Sequence, residues 1–204
     1  MKNIVFDHVD KAYGKNVIVK DLNLEIKEGE RLILLGAPVL WAAGPALHFL
    51  YPLSGGALLA GLLAPVNESV WEHLKLVLWP MALWWTVCYL RAPFRRELDA
   101  PSWFAAALGA ILAAQGFIVL AYYFCAGALG VHSTAADIAL FFLAAVLGQW
   151  AGLRLYQRRC ALSWAASLAA LAALPALFAV CTLAPPDLPL FCDPVTGTRG
   201  IFQW

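Results

Sequence analysis

The chain is 204 residues long, 62% apolar and only 13% charged, with 14 Lys plus Arg against 13 Asp plus Glu. An ordinary soluble domain carries roughly a quarter charged residues, so this composition excludes a soluble globule and points to several membrane spans. No basic patch interleaved with aromatics occurs outside short loops, which removes nucleic acid from the expected partners and leaves the lipid bilayer.

Charge is segregated along the chain. Residues 1–31 hold six basic and six acidic residues, and from Leu32 onward charge is sparse. The polar start alternates like a set of strands, in "NIVFDHVDKAYG", "NVIVKDLNLEIKEGE" and "RLILLG". At these residues the chain resembles the opening of an ABC transporter ATP-binding subunit. Tyr13 stands where that family places an adenine-stacking aromatic, and Lys27-Glu28-Gly29-Glu30 precedes the strand that would feed a phosphate loop. The resemblance stops at Gly36, which is followed by Ala-Pro-Val-Leu-Trp. Nucleotide binding of that type needs a glycine-rich loop, a lysine on the β- and γ-phosphates and a hydroxyl on magnesium. None follows, and no acidic strand end of Walker B type appears later. "LSGG" (53–56) imitates the signature motif of that family but comes too soon after Gly36 to leave room for the intervening helical subdomain. ATP is therefore not an expected ligand, and ATPase activity is not expected. A β-rich fragment over 1–36, either the vestige of a fusion or a join made in gene assembly, precedes a membrane domain over 37–204.

The first 30 residues are polar and contain no signal-peptide pattern, so the first apolar span has to target the chain. A spanning helix needs about 20 mostly apolar residues. Five segments meet this: about 32–50, 71–90, a stretch within 100–131, 138–156 and 161–184, the last stopped by Pro185 and Pro186. The expected fold class is an all-α integral membrane protein of about five transmembrane helices with a small β-rich N-terminal fragment. "GGALLAGLLAPV" (55–66) is apolar but too short to cross, which makes it a re-entrant or interfacial segment.

Loop charge sets the orientation. Arg91, Arg95 and Arg96 follow the second span, and Arg154, Arg158 and Arg159 follow the fourth, which places both connections in the cytoplasm. The third-to-fourth loop has no Lys or Arg. The protein is thus expected in the cell membrane with its N-terminus cytoplasmic and its C-terminus outside. Five scattered cysteines (Cys88, Cys125, Cys160, Cys181, Cys192) form no zinc-finger spacing and read as small apolar residues. Small-residue stripes such as "GAILAAQG" are suited to close helix packing or to a homo-oligomer seam, and Gln115 and Gln149 within spans read as interhelical glue or the lining of a path.

The segments "LHFLYPLSGG" (47–56), "PVNESVWEHLKLVLWPM" (65–81) and "PLFCDPVTG" (189–197) carry a second resemblance. From Gly44 onward the chain is similar to a small bacterial multi-pass membrane protein family of unknown function. That resemblance implies architecture and no activity.

Within these segments Asn67 suits a helix N-cap, Glu68 the first turn of that helix, and Val66 can pack on Trp71. On a continuous helix Glu68, Glu72 and Lys75 share a face, with Ser69 and His73 on the neighbouring stripe. Lys75 can offset the two carboxylates as a local ion pair, with Trp71 and Trp79 as interfacial aromatics. In the derived topology His48, the loop residues His132 and Asp137, and the tail residue Asp193 fall on the same outer side. His48, Asn67, Glu68, Glu72, His73, Lys75, His132 and Asp193 are therefore the candidate ligand-binding residues. Imidazole and carboxylate suit a divalent transition metal, for which Glu72 and His73 are the named ligands. Their spacing matches no zinc-hydrolase motif.

Three functions fit this reading: a membrane protein that binds a metal or small ligand at its outer polar cluster, a membrane-embedded metal-dependent hydrolase, and a transporter or transporter accessory component. The lack of charge near the middle of any expected span weighs against the last.

Overall fold

The computed structural model describes residues 4–26, 30–91, 98–159 and 162–202. Strands β1 (Ile4–Tyr13) and β2 (Asn16–Ile26) form an antiparallel hairpin that pairs Tyr13 with Asn16 and Ile4 with Ile26. Gly14 turns the hairpin with φ +61°, a conformation that costs glycine little. The hairpin is exposed almost throughout. Tyr13 lies at its tip, 66% exposed, with the Lys11 ammonium 5.2 Å from its ring centre.

The third expected strand is not formed. "RLILLG" belongs to helix α1 (Glu30–His48) instead. The chain stays apolar from Leu32 through Trp41 to Leu47, and the helix runs on through Gly36, Pro38, Gly44 and Pro45 without breaking. A helix closes its backbone hydrogen bonds within its own segment, whereas a third strand would depend on a neighbouring strand for its partners. Lys27, Glu28 and Gly29 of the same motif lie outside the described residues, as do Arg95, Arg96 and Cys160.

Seven more helices follow: α2 (Leu50–Leu53), α3 (Leu58–Leu63), α4 (Val70–His73), α5 (Lys75–Arg91), α6 (Ala100–Ala128), α7 (Thr134–Gln157) and α8 (Trp164–Leu183). A 3-10 turn at Pro189–Phe191 leads into a tail that folds back through a bridge between Cys192 and Arg199. Helices α6, α7 and α8, of 29, 24 and 20 residues, are long and apolar enough to cross a membrane. Among the described residues, length and composition thus carry three spans rather than the five expected. Helix α5 has 17 residues and opens on Lys75, and α1 opens on Glu30 and Arg31, which leaves both short of about 20 apolar residues.

Helix α1 packs on α5 and α7, α5 on α6, and α6 on both α7 and α8. The tightest seam is α6 against α7. A Cβ on Gly148 would sit 2.7 Å from the Ala110 carbonyl oxygen, and one on Gly152 would sit 2.8 Å from Ala110 Cβ. Small residues therefore bring the two backbones together within one chain, as Ala106, Ala110 and Ala114, all essentially fully buried, face these glycines' helix. Gln149 accepts a hydrogen bond from Trp85 Nε1 at 2.9 Å, and Gln115 donates to the Leu74 carbonyl at 3.4 Å. Both amides act as glue between helices.

The 55–66 segment folds around the short helix α3, packed on α8, after a turn in which Gly55 and Gly56 adopt φ of +69° and +80°. Among the described residues Cys88, Cys125, Cys181 and Cys192 are unpaired. The alternation of helices gathers the ends of α1 and α8, the start of α7, α4 and the folded tail at one end of the bundle, where the candidate residues meet.

Candidate functional site

The loop before α4 decides which side chains face each other. Ser69, rather than Asn67, is the N-cap: its Oγ accepts from Glu72 N at 3.3 Å. Asn67 precedes the cap in an Asx-type turn, its Oδ1 accepting from Ser69 N at 3.0 Å while its Nδ2 donates to the Gly200 carbonyl at 3.4 Å. Glu68 therefore lies outside the helix. The single face expected for Glu68, Glu72 and Lys75 is split into two clusters, since a helical repeat cannot apply to a residue ahead of the cap, and α4 is separated from α5 at Leu74.

The inner cluster is built on Glu72 and Lys75, 2% and 0% exposed. Lys75 Nζ donates to Glu72 Oε2 at 2.6 Å, to the Gly61 carbonyl at 2.7 Å and to the Ala64 carbonyl at 3.3 Å. An ammonium has three N–H groups, so its donors are all used. Glu72 Oε2 also accepts from Val66 N at 3.1 Å, and Oε1 accepts from Thr182 Oγ1 at 2.8 Å. A buried ion pair is tolerable only when its remaining polar valences are filled in this way. The pair fastens α3, the start of α5 and the end of α8 to one another. Its atoms are committed to protein partners.

The outer cluster holds His48, Glu68 and His73. Glu68 Oε2 lies 3.3 Å from His73 Nε2, and Glu68 Oε1 lies 3.9 Å from His48 Nε2. One ligand atom from each residue falls within 4.8 Å of the other two. The His73 ring is held by Nδ1, 3.0 Å from the Ser69 carbonyl. A carbonyl oxygen only accepts, so Nδ1 carries the hydrogen and Nε2 faces the carboxylate. Nε2 then has two compatible states: protonated, donating to Glu68, or a bare lone pair bound to a cation shared with Glu68. A metal-ligating histidine is commonly oriented by its other ring nitrogen in this manner.

Burial opposes a charge on His73, yet the hydrogen bond to Glu68 and the Ser69 carbonyl outweigh it and hold the imidazole above its ordinary 6.5. The hydrogen bond from His73 holds Glu68 below its ordinary 4.5, against the opposing effect of burial. Without a cation the two therefore form an ion pair across the site.

Asp193 fixes the loop from the far side. Its Oδ2 accepts from Glu68 N at 3.2 Å, and its Oδ1 from Val195 N at 2.7 Å and Thr196 N at 3.1 Å. Burial works to raise its pKa, but the three backbone donors outweigh it and keep the carboxyl below 3.8. Trp71, stacked on Phe178 with ring centres 4.3 Å apart and packed on Phe191, holds the same tail against α4 and α8. Asp193 and Asn67 thus position Glu68 rather than join the triad. His132, in the exposed connection before α7, is not among the three clustered ligand atoms.

Beside the triad a cavity of about 590 Å³ opens, lined by His48, Glu68 and His73 together with Tyr122, Thr134 and Asp137, and by apolar residues that include Leu76, Ile118, Ile138 and Phe141. Sequence reasoning missed Thr182 as the hydroxyl partner of Glu72, Ser69 as cap and carbonyl anchor, and Tyr122 as a cavity wall. Ser69 was legible as a cap residue three positions before Glu72. Thr182 and Tyr122 lie 110 and 54 residues from Glu72 and Glu68 and had no local signal.

A family model described as "Family of unknown function (DUF6512)" matches residues 12–201. The match begins ahead of both Gly44, where the resemblance to a membrane family was expected to start, and residue 37, the expected domain boundary. A probable amino-acid ABC transporter ATP-binding protein of Sinorhizobium fredii is 35% identical over 75 residues, which cover 35% of this chain and 27% of that protein. The chain thus spans about a quarter of the length of the curated relative it matches. No solved structure matches the chain.

Proposed function

The chain belongs to this family of unknown function, and from that membership and the site geometry we propose that it is an integral membrane protein that binds a divalent transition metal at its outer face through His48, Glu68 and His73. The observation that carries the reading is the approach of three ligand atoms, two imidazole nitrogens and one carboxylate oxygen, to within 4.8 Å of one another. An ion about 2.0–2.2 Å from each ligand needs them no more than about 4.4 Å apart, so the side chains would close slightly around it. Glu72, named with His73 as a ligand from sequence, is replaced by Glu68 and His48 because its oxygens already serve Lys75, Val66 and Thr182. Two histidines and one carboxylate are a donor set that zinc, iron(II) and manganese accept with a position left open.

The same proposal takes α1 and α5 as membrane-crossing with α6, α7 and α8. Helix α5, Lys75–Arg91, is the crossing segment, and the short helix α4 that carries His73 precedes it at the outer surface. The N-terminus then faces the cytoplasm and the triad faces outside, in agreement with Arg91, Arg154, Arg158 and Arg159 at the opposite end.

A second reading, metal-dependent hydrolysis, is favoured by the cavity beside the triad. Three protein ligands leave room for a water whose pKa the ion would lower. The transporter reading lacks comparable support: among the described residues the buried charged side chains, Glu72, Lys75 and Asp193, lie at the triad's end of the bundle.

Elemental analysis of the purified full chain after incubation with zinc, iron(II) or manganese tests the proposal. Stoichiometric metal that is lost in His48→Asn, Glu68→Gln and His73→Asn, and kept in folded Glu72→Gln, is the expected result. Wild-type protein that takes up no metal, or metal indifferent to the triad variants, would overturn it.

A further inference from the structure

We infer that the cavity beside the triad binds a single-chain amphiphile whose head group places an oxygen on the metal and an O–H against Asp137, an inference that rests on the metal-site reading above. The lining divides by chemistry. The triad, Asp137 and Tyr122 supply its polar groups, and Leu76, Ile118 and Phe141 are among its apolar ones. A volume of about 590 Å³ lies in the range of pockets that enclose a small organic ligand.

Charge selects the head group. A divalent ion with two neutral imidazoles and the Glu68 carboxylate carries one net positive charge, and the Asp137 carboxylate in the same cavity cancels it. A strongly anionic head would meet Asp137, and a cationic one would meet the ion. A head that ligates through one oxygen and donates a hydrogen bond from its neighbour satisfies both. The apolar remainder of the cavity then takes the chain. The lining includes Ile138, half-exposed on α7, a helix apolar enough to cross a membrane, which offers an apolar chain a contact at the cavity.

The probe is octanohydroxamic acid, whose head has this pair of groups, compared with acetohydroxamic acid, which has the same head and lacks six carbons of chain. Binding is measured by calorimetry on the zinc-loaded full chain in nanodiscs, with empty nanodiscs subtracted. The longer probe is expected to bind at least about tenfold more tightly, since each added methylene leaves water. Filling the cavity with Ile138→Trp, or with Leu140→Trp as an independent wall variant, is expected to remove that difference while zinc content stays stoichiometric. Equal affinity for the two probes on zinc-loaded protein, or a chain-length preference that survives both tryptophans, would overturn the inference and leave the metal site standing. Absence of stoichiometric zinc in the wild type, read beforehand by elemental analysis, would instead overturn the metal reading and this inference with it.

Discussion

Replacing Lys75 by methionine isolates the inner ion pair. Methionine keeps an unbranched apolar stem of similar length, so the change removes one charge and three N–H groups with little loss of volume. In the native protein those donors reach Glu72 Oε2, Gly61 O and Ala64 O, all within 3.3 Å. After substitution Glu72, 2% exposed, keeps only the Val66 N–H and the Thr182 hydroxyl. Removing one partner from a buried pair costs about 3–5 kcal/mol, mainly because the other charge remains buried without compensation. The loss at the two carbonyls overlaps with this figure and is not added to it. Glu72→Gln is expected to cost a similar amount by stranding the ammonium. The double variant is expected to be more stable than the sum of the singles predicts, with a coupling of about 1–3 kcal/mol. The assay is unfolding of the full chain in mixed micelles by increasing SDS mole fraction, followed by tryptophan fluorescence and circular dichroism. A Lys75→Met protein within about 0.5 kcal/mol of wild type, or strictly additive singles, would refute the reasoning. Folded Lys75→Met should still bind stoichiometric metal, because the Lys75 donors are engaged by Glu72, Gly61 and Ala64 rather than by the triad.

Metal affinity should fall with acidity, since the ion competes with the proton on His73 Nε2. The raised His73 pKa predicts about a tenfold loss per pH unit below that pKa, measurable by competition with a chromogenic chelator; a flat profile between pH 5 and 8 would remove His73 from the ligand set. In the metal-free chain the His73–Glu68 pair stabilises within a window. The His73 contribution is full below 6.5 and is lost as pH rises through its raised folded pKa, while the Glu68 contribution is present above 4.5 and is lost as pH falls through its lowered one. Thermal unfolding of apo protein across pH should therefore weaken on both sides, and His73→Asn should flatten the alkaline limb. Asp193→Ala leaves the Glu68, Val195 and Thr196 N–H groups without their acceptor, which should cost about 1–3 kcal/mol and weaken metal binding without touching a ligand; unchanged affinity would show that the Glu68 loop holds its own shape. Gly148→Ala should destabilise by about 1–3 kcal/mol, since its Cβ would meet the Ala110 carbonyl at 2.7 Å. Gly116→Ala, with open space around it, should be neutral or stabilising in the same unfolding assay.

Much of the helix framework was legible because its determinants are local. Uninterrupted apolar length fixed α6, α7 and α8 to within a few residues of the expected segments, and Pro185 and Pro186 marked the end of the last. The brevity of 55–66 ruled out a crossing, and a short helix is what it forms. Locality also produced the errors. "RLILLG" has strand-like composition, and its helical state follows from the apolar residues after it. Asn67 and Ser69 are both good cap residues two positions apart, and Ser69 takes the role while Asn67 Nδ2 is drawn to the Gly200 carbonyl, 133 residues away.

The sequence by itself determined that the chain is apolar and mostly helical, and that no glycine-rich phosphate loop follows Gly36. These are properties of composition, length and order, which depend on near neighbours. An ion pair at Lys75 was expected from the sequence; only the tertiary structure decided that it serves Glu72 with Thr182, while Glu68 belongs to His73 and His48. Adjacent residues on a chain point in different directions once a helix begins between them, and partners brought from α1, α8 and the tail then settle which charges are neutralised in the interior and which remain to bind.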